Sequence, residues 1–190
     1  IPNAKYYDKA YRGSWNGLTI ISISIGQGEV TLTPLQIANL GATIANRGYY
    51  ITPHVVKSIE NDAIDTLYTQ KKYTKVDRIH YEEVVEGMRM AVTGGTCRMA
   101  NLPDIEVCGK TGTAQNRGKD HSAFMGFAPM NNPKIAIAVY VENGGFGAVY
   151  GVPIGRLMIE QYLKGELTPQ DEELATDIQN RRIDYGIHER

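Results

Sequence analysis

Apolar positions along the chain follow two rhythms, and where each rhythm runs predicts the elements. After Thr33-Pro34, the residues Leu35, Ile37, Ala38, Ala42, Ile44 and Ala45 form a wide apolar face at helical spacing. Thr33 suits the cap, Pro34 the first helical position and Gln36 the third residue of a capping box, while Asn46-Arg47-Gly48 reads as the stop. A helix this apolar is expected inside the fold. A second helix is predicted over 81–92, with Val84, Val85, Met88, Ala91 and Val92 inward, Glu82, Glu83 and Glu86 on a solvated face, and Gly94-Gly95 at its end. A third is predicted over 153–163, carrying Ile154, Leu157, Met158 and Leu163.

The strand rhythm dominates between the last two helices. Strands are predicted over 105–113, 122–128 and 134–143, and Asn131-Asn132-Pro133 makes an antiparallel hairpin of the latter two. The β-branched run over 18–29, ending in Gly26-Gln27-Gly28, reads as a buried extended segment. Residues 51–59 and 64–68, around Asn61-Asp62, read as a small hairpin. Residues 1–18 read as a loop anchored by Trp15, with Tyr6, Tyr7 and Tyr11 packing there, and 70–78 as a basic exposed stretch. After Gly165 the chain turns polar; Thr168-Pro169 starts one short helix and the end frays. Helices and antiparallel strands in blocks, without βαβ alternation, define an α+β class: an antiparallel sheet flanked by helices.

Composition narrows the function classes. A chain of 190 residues with 42% hydrophobic and 22% charged residues is an ordinary globular length and mix. Its net charge of −1, without a long basic run, argues against nucleic acid or an anionic membrane as partner. No apolar run approaches the ~18 residues of a membrane span. Cys97 and Cys108 are too few for a disulfide framework; they read as two separate buried thiols, or as one pair if the chain is exported. The histidines are scattered, and no Cys/His spacing fits zinc. Neither a metal nor another cofactor is expected.

The candidate chemistry lies in "CGKTGTAQN", residues 108–116. A phosphate-binding loop would need a glycine where Asp104 stands, and a carboxylate there repels phosphate. "GQGEVT" at 26–31 is an equally poor dinucleotide fingerprint, with Thr31 at its third glycine position. The remaining readings are a tight Gly-containing strand with one exposed lysine, and the K-T-G strand of penicillin-recognising enzymes. The second has a chemical logic. An edge strand offers backbone N–H groups to a substrate lying alongside it. Gly112 keeps that approach clear, Lys110 supplies a positive charge, and Thr111 and Thr113 offer hydroxyls to a carboxylate.

The wider sequence favours that reading. The segments "ISIGQGEVTLTPLQIANLGATIANRG" (23–48), "GGTCRMANLPDIEVCGKTGTAQ" (94–115), "HSAFMGFAPMNNPKIAIAVYVENGG" (121–145) and "PIGRLMIEQYL" (153–163) resemble, in order and spacing, the penicillin-binding protein 2 family of class B, monofunctional transpeptidases. The resemblance spans residues 10–165. It implies an antiparallel sheet with helices on both sides, and a serine that attacks a D-alanyl-D-alanine stem, releases D-alanine and passes the acyl group to a neighbouring amine. β-Lactams acylate the same serine. It places Lys110 beside that serine, Thr111, Gly112 and Thr113 along the substrate with the threonines on its carboxylate, and the Thr113 N–H in the oxyanion hole. It further implies peptidoglycan stem peptides, β-lactam antibiotics and a membrane glycan polymerase of the elongation machinery as partners, no nucleic acid, and the periplasmic face of the inner membrane.

Two family motifs are missing. S-x-x-K supplies the nucleophile and its activating lysine, and no serine here has lysine three positions on. Ser14-Trp15-Asn16 matches S-x-N by letter but stands in the stretch that follows the family's true motif. The absent initiator Met agrees with a C-terminal portion of a transpeptidase domain. Residues 1–165 would form that portion and 166–190 a polar tail, the isolated chain being inactive and exposing apolar surface on its sheet and on the 34–46 helix. A substrate contact or a turn cap is expected of Asp120-His121, and a cleft border or plain connection of Gly144 to Gly147. The rival reading is a non-catalytic penicillin-binding sensor or interaction module of the same fold.

Overall fold

The computed structural model describes residues 2–183 and 185. They fall into two compact units divided between Thr33 and Pro34.

In the first unit the expected loop and extended run are both helical: α1 (Ala4–Ala10) and α2 (Gly17–Ser24). Local capping decides this. The Asn3 side chain accepts from the Tyr6 N–H, and Asn16 and Thr19 form a reciprocal capping box that starts α2. The β-branched run of α2 is also not buried: Leu18, Ile20 and Ile21 are exposed. Tyr7 is the buried centre, with the rings of Tyr6, Tyr11 and Trp15 around it; the Trp15 indole donates to Asp8, and Tyr11 and Glu29 hydrogen-bond. The tyrosines therefore pack.

The second unit begins with α3 (Pro34–Ala45), which starts at the expected proline. Its apolar face is only partly covered. Gly41, Thr43 and Ala45 are buried, while Leu35 and Leu40 are 61% and 47% exposed, so α3 lies on the sheet and not within the fold. The hairpin expected over 51–68 is reduced to one bridge, Ile59 to Asp62, and a 3₁₀ turn at Thr66–Tyr68. The strands of this region are instead β1 (Tyr49–Tyr50) and β2 (Lys72–Tyr73), paired antiparallel with Tyr49 opposite Tyr73. The basic stretch thus supplies a strand.

α4 (Arg78–Thr93) buries Tyr81, Val85, Met88 and Val92, and Gly94 ends it. Glu82, on its outer face, pairs with Arg47 at 3.1 Å. The main sheet follows as predicted: β3 (Cys108–Ala114), β4 (His121–Ala128) and β5 (Ile135–Val141), antiparallel in the order β3-β4-β5. α5 (Gly151–Lys164) packs on β4 and β5, and α6 (Pro169–Asn180) packs on α5. Thr168 caps α6, and Asp171 in its first turn is buried. Part of the fraying expected of the end falls outside the described residues.

Successive strand residues face opposite sides, and the two cores follow that alternation. Phe124, Ile137 and Val139 pack with Val152 and Ile159 of α5. Phe127 and Cys108 pack with Ala45 of α3 and with Val85 and Met88 of α4. Both cysteines are free and buried, as separate thiols. Among the described residues no helix is long and apolar enough to cross a membrane.

Candidate active site

The K-T-G strand is placed by a phenylalanine that three glycines approach too closely to bear a side chain. Phe124 is 1% exposed at the middle of β4. A Cβ on Gly109, Gly126 or Gly155 would stand 2.4 to 2.6 Å from the Phe124 ring, closer than real carbon contacts allow, and one on Gly151 would stand 2.9 Å from the Ala123 carbonyl carbon and 3.0 Å from the Phe124 backbone nitrogen. β3, β4 and the first turns of α5 therefore close on one ring, and this fixes the depth at which β3 lies. Lys110, Thr111, Gly112 and Thr113 then sit opposite Met125, Phe124, Ala123 and Ser122.

β3 pairs with β4 on one side and, among the described residues, with no strand on the other. Its free edge is open for an extended chain to lie along. Alternation puts Lys110 and Gly112 toward the α3 side and Thr111 and Thr113 toward the α5 side, so the four expected site residues are together on one strand but divided between its faces. Lys110 is exposed, and its Nζ donates to the Thr111 carbonyl at 2.7 Å. The Thr111 hydroxyl is 2.9 Å from that of Thr96. Gly112 faces Ala123 so closely that a Cβ would lie 3.2 Å from the Ala123 methyl.

The glycine loop over 144–147 is more than a connection. A Cβ on Gly147 would stand 2.7 Å from the Gly112 carbonyl oxygen, 2.5 Å from that of Ala123 and 3.0 Å from Thr111 Cβ. The loop thus lies directly on the K-T-G strand. Ser122, fully buried, fastens it: its hydroxyl donates to the Phe146 carbonyl and accepts the Gly151 N–H, both at 3.0 Å. Asp120 and His121 serve the same turn. The Asp120 carbonyl accepts the Gly145 N–H at 2.8 Å, its carboxylate accepts the Asn116 N–H at 3.3 Å, and His121 Nδ1 accepts the Asn143 N–H at 3.0 Å.

Cys97 sits under the strand, buried beside Thr96 and Thr111. Burial pushes its thiol above the ordinary range, against the pull of the Thr96 hydroxyl, the Thr111 N–H and the Lys110 charge. Cys108 is pushed up to about 11, also by burial, although Arg89 and Arg47 oppose it. Neither is an activated nucleophile. Among the described residues no group of His, Cys, Asp or Glu is arranged to hold a metal ion.

The sequence gives no role to Thr96 or Ser122, and offers Gly147 only as part of a cleft border or plain connection. The partner of Thr96 lies 15 residues away and the two partners of Ser122 lie 24 and 29, so no local pattern shows them.

An antiparallel sheet with helices on both faces and K-T-G on its free edge strand defines a domain of the penicillin-recognising class. Residues 6–159 match the penicillin binding protein transpeptidase domain, and the chain belongs to that family. Among its relatives is the peptidoglycan D,D-transpeptidase MrdA of Haemophilus influenzae, 31% identical over 96% of this chain and 31% of that protein. Among solved structures, penicillin-binding protein 2 of Pseudomonas aeruginosa in complex with WCK 5153 superimposes with a TM-score of 0.75 at 34% identity, covering 89% of this chain and 38% of that one. Penicillin-binding protein A of Mycobacterium tuberculosis, as its imipenem acyl-enzyme complex, gives 0.61 at 36% identity over 74% and 33%. The chain thus spans about a third of the length of these relatives.

Proposed function

We propose that this chain supplies the K-T-G wall of a serine-type peptidoglycan D,D-transpeptidase. Residues 1–165 belong to the transpeptidase domain and 166–190 are an appendage to it. In this reading the enzyme cross-links stem peptides through an acyl-enzyme, and β-lactams acylate the same serine in place of the D-alanyl-D-alanine end. The observation that carries the reading is the open β3 edge bearing Lys110 to Thr113. A stem peptide lies along that edge as an added strand. The hydroxyls of Thr111 and Thr113 hold its terminal carboxylate, and the Thr113 N–H is one oxyanion-hole donor. Lys110 sets the charge and proton positions near the nucleophile. Gly112 leaves the substrate backbone room. The supporting geometry is the clamp of glycines around Phe124 and the Thr96–Thr111 contact, which hold the strand before substrate arrives.

The nucleophile comes from a polypeptide stretch that carries S-x-x-K. Ser122, within β4, is excluded as a substitute, because its hydroxyl is buried and spent on Phe146 and Gly151. Ser14 and Ser24 donate to carbonyls three residues back. In this reading the working enzyme acts at the periplasmic face of the inner membrane, beside a membrane glycan polymerase.

Labelling with a fluorescent penicillin tests the reading. The isolated 190-residue chain stays unlabelled, while a longer protein joining it to an S-x-x-K segment is labelled and releases D-alanine from a stem-peptide substrate. Covalent labelling of the isolated chain overturns the assignment of the nucleophile elsewhere. Labelling of the longer protein without D-alanine release or turnover favours a sensor.

A further inference from the structure

The helix pair α5–α6 buries two carboxyls that the K-T-G strand does not use. Glu160 of α5 and Asp171 of α6 are each 1% exposed. Each has one oxygen held by a cation. Lys164 Nζ donates to Glu160 Oε1 at 2.9 Å, and Arg156 Nε donates to Asp171 Oδ1 at 2.8 Å. The other two oxygens, Glu160 Oε2 and Asp171 Oδ2, are buried, and no hydrogen-bond partner is assigned to either among the described residues. Arg156, which holds Asp171, stands one helical turn before Glu160 on α5, so both carboxyls are buried on the same face of that helix, and a hydrogen bond between them contributes to both pKa shifts.

An ionised carboxylate only accepts. If both groups were charged, two bare acceptors would face each other away from water, which is unfavourable on both counts. A single proton satisfies both. We propose that Glu160 and Asp171 share one proton, as a carboxylic acid donating to a carboxylate, and that this O–H···O bond is a clasp fastening α6 to α5.

The charges around the pair fit one proton. Arg156 and Lys164, both on α5, supply two positive charges. Asp171 supplies one negative charge, and Asp104, from the segment before β3, adds a second on Lys164 at 3.0 Å. The set is neutral when Glu160 keeps its proton. Arg98, in a second 3₁₀ turn at Arg98–Ala100, lines the groove beside Asp171 with Glu173 and Asp177 of α6, and Glu172 shares the first turn of α6. Beneath α5, the sheet presents the apolar side chains Phe124, Ile137 and Val139.

The proton belongs on Glu160. Burial, then the hydrogen bond with Asp171, raises its pKa, against the pull of Lys164. For Asp171 burial works upward, but Arg156, the Glu160 acid and Thr168 together hold its carboxyl below the usual range. The signs give a window. Because the folded pKa of Glu160 is raised, its contribution is complete below the ordinary glutamate value and is lost as pH rises through the raised one. The folded pKa of Asp171 is lowered, so its contribution is lost as pH falls through that lowered value. The clasp holds between the two limits and opens on the alkaline side when Glu160 ionises.

Carboxyl-carbon NMR on the whole chain with labelled glutamate tests this. One resonance is expected to stay protonated where the others have passed their ordinary midpoint of about 4.3, and that resonance is absent from Glu160→Gln. Hydrogen exchange of the α6 amides, corrected for intrinsic rates, is expected to lose protection as pH rises past that midpoint. Glu160→Gln keeps the protection, because its amide donates to Asp171 Oδ2 and accepts from Lys164 without titrating. Should Glu160→Gln fail to fold, the wild-type titration decides alone. The proposal is overturned if every glutamate titrates in the ordinary range, or if α6 protection in Glu160→Gln follows the wild-type pH profile.

Discussion

At the scale of single residues, a side chain here matters either for what it offers the free edge or for the space it leaves. Lys110 is of the first kind. Its ammonium is exposed and leans on the next carbonyl, so Lys110→Ala, in a protein that also carries the S-x-x-K segment, is expected to abolish β-lactam acylation while leaving the melting temperature nearly unchanged. Stopped-flow acylation and a thermal melt check both halves. Gly155 is of the second kind. A methyl there would stand 2.4 Å from the Phe124 ring, and overpacking of this sort costs about 1–3 kcal/mol. Gly155→Ala should lower the denaturant midpoint accordingly. The cysteines, Cys97 and Cys108, test burial directly. With thiols raised by burial, both should resist a thiol reagent at neutral pH in the native chain and react fully in denaturant.

At the scale of elements, caps and turns decided more than apolar runs did. Thr168→Ala removes the side chain that caps α6, at a cost of about 1 kcal/mol; faster exchange of the first α6 amides is the measurement. The main sheet was legible because its information is local. Asn131-Asn132-Pro133 joins β4 to β5, and β5 is a continuous apolar, β-branched-rich run bounded by turn residues. The region before it was not. Residues 18–29 carry the β-branched run of a strand, yet the Asn16–Thr19 capping box starts a helix. Residues 51–68 have strand composition but make a single bridge, since their neighbours pair elsewhere, Tyr49 with Tyr73. The site divides in the same way. Lys110, Thr111, Gly112 and Thr113 were legible as a motif, whereas Thr96 on Thr111 and Gly147 on Gly112 became visible only through folding.

At the scale of the whole molecule, the second unit carries apolar surface that its own residues leave open. Leu35 and Leu40 on α3 are exposed, and a cavity of about 610 Å³ beside Leu35 is walled by Val55, Val56, Ile59, Ile64 and Tyr68. Such surface drives association, so the isolated chain should self-associate in sedimentation as its concentration rises, and a sharply monomeric species would contradict this. The glycines around Phe124 have a consequence of another kind, for heredity and not for chemistry. Gly109, Gly126 and Gly155 are separated along the chain but answer to one ring, so their codons are bound into a single constraint. A map of tolerated substitutions would show intolerance at three distant positions around one buried side chain.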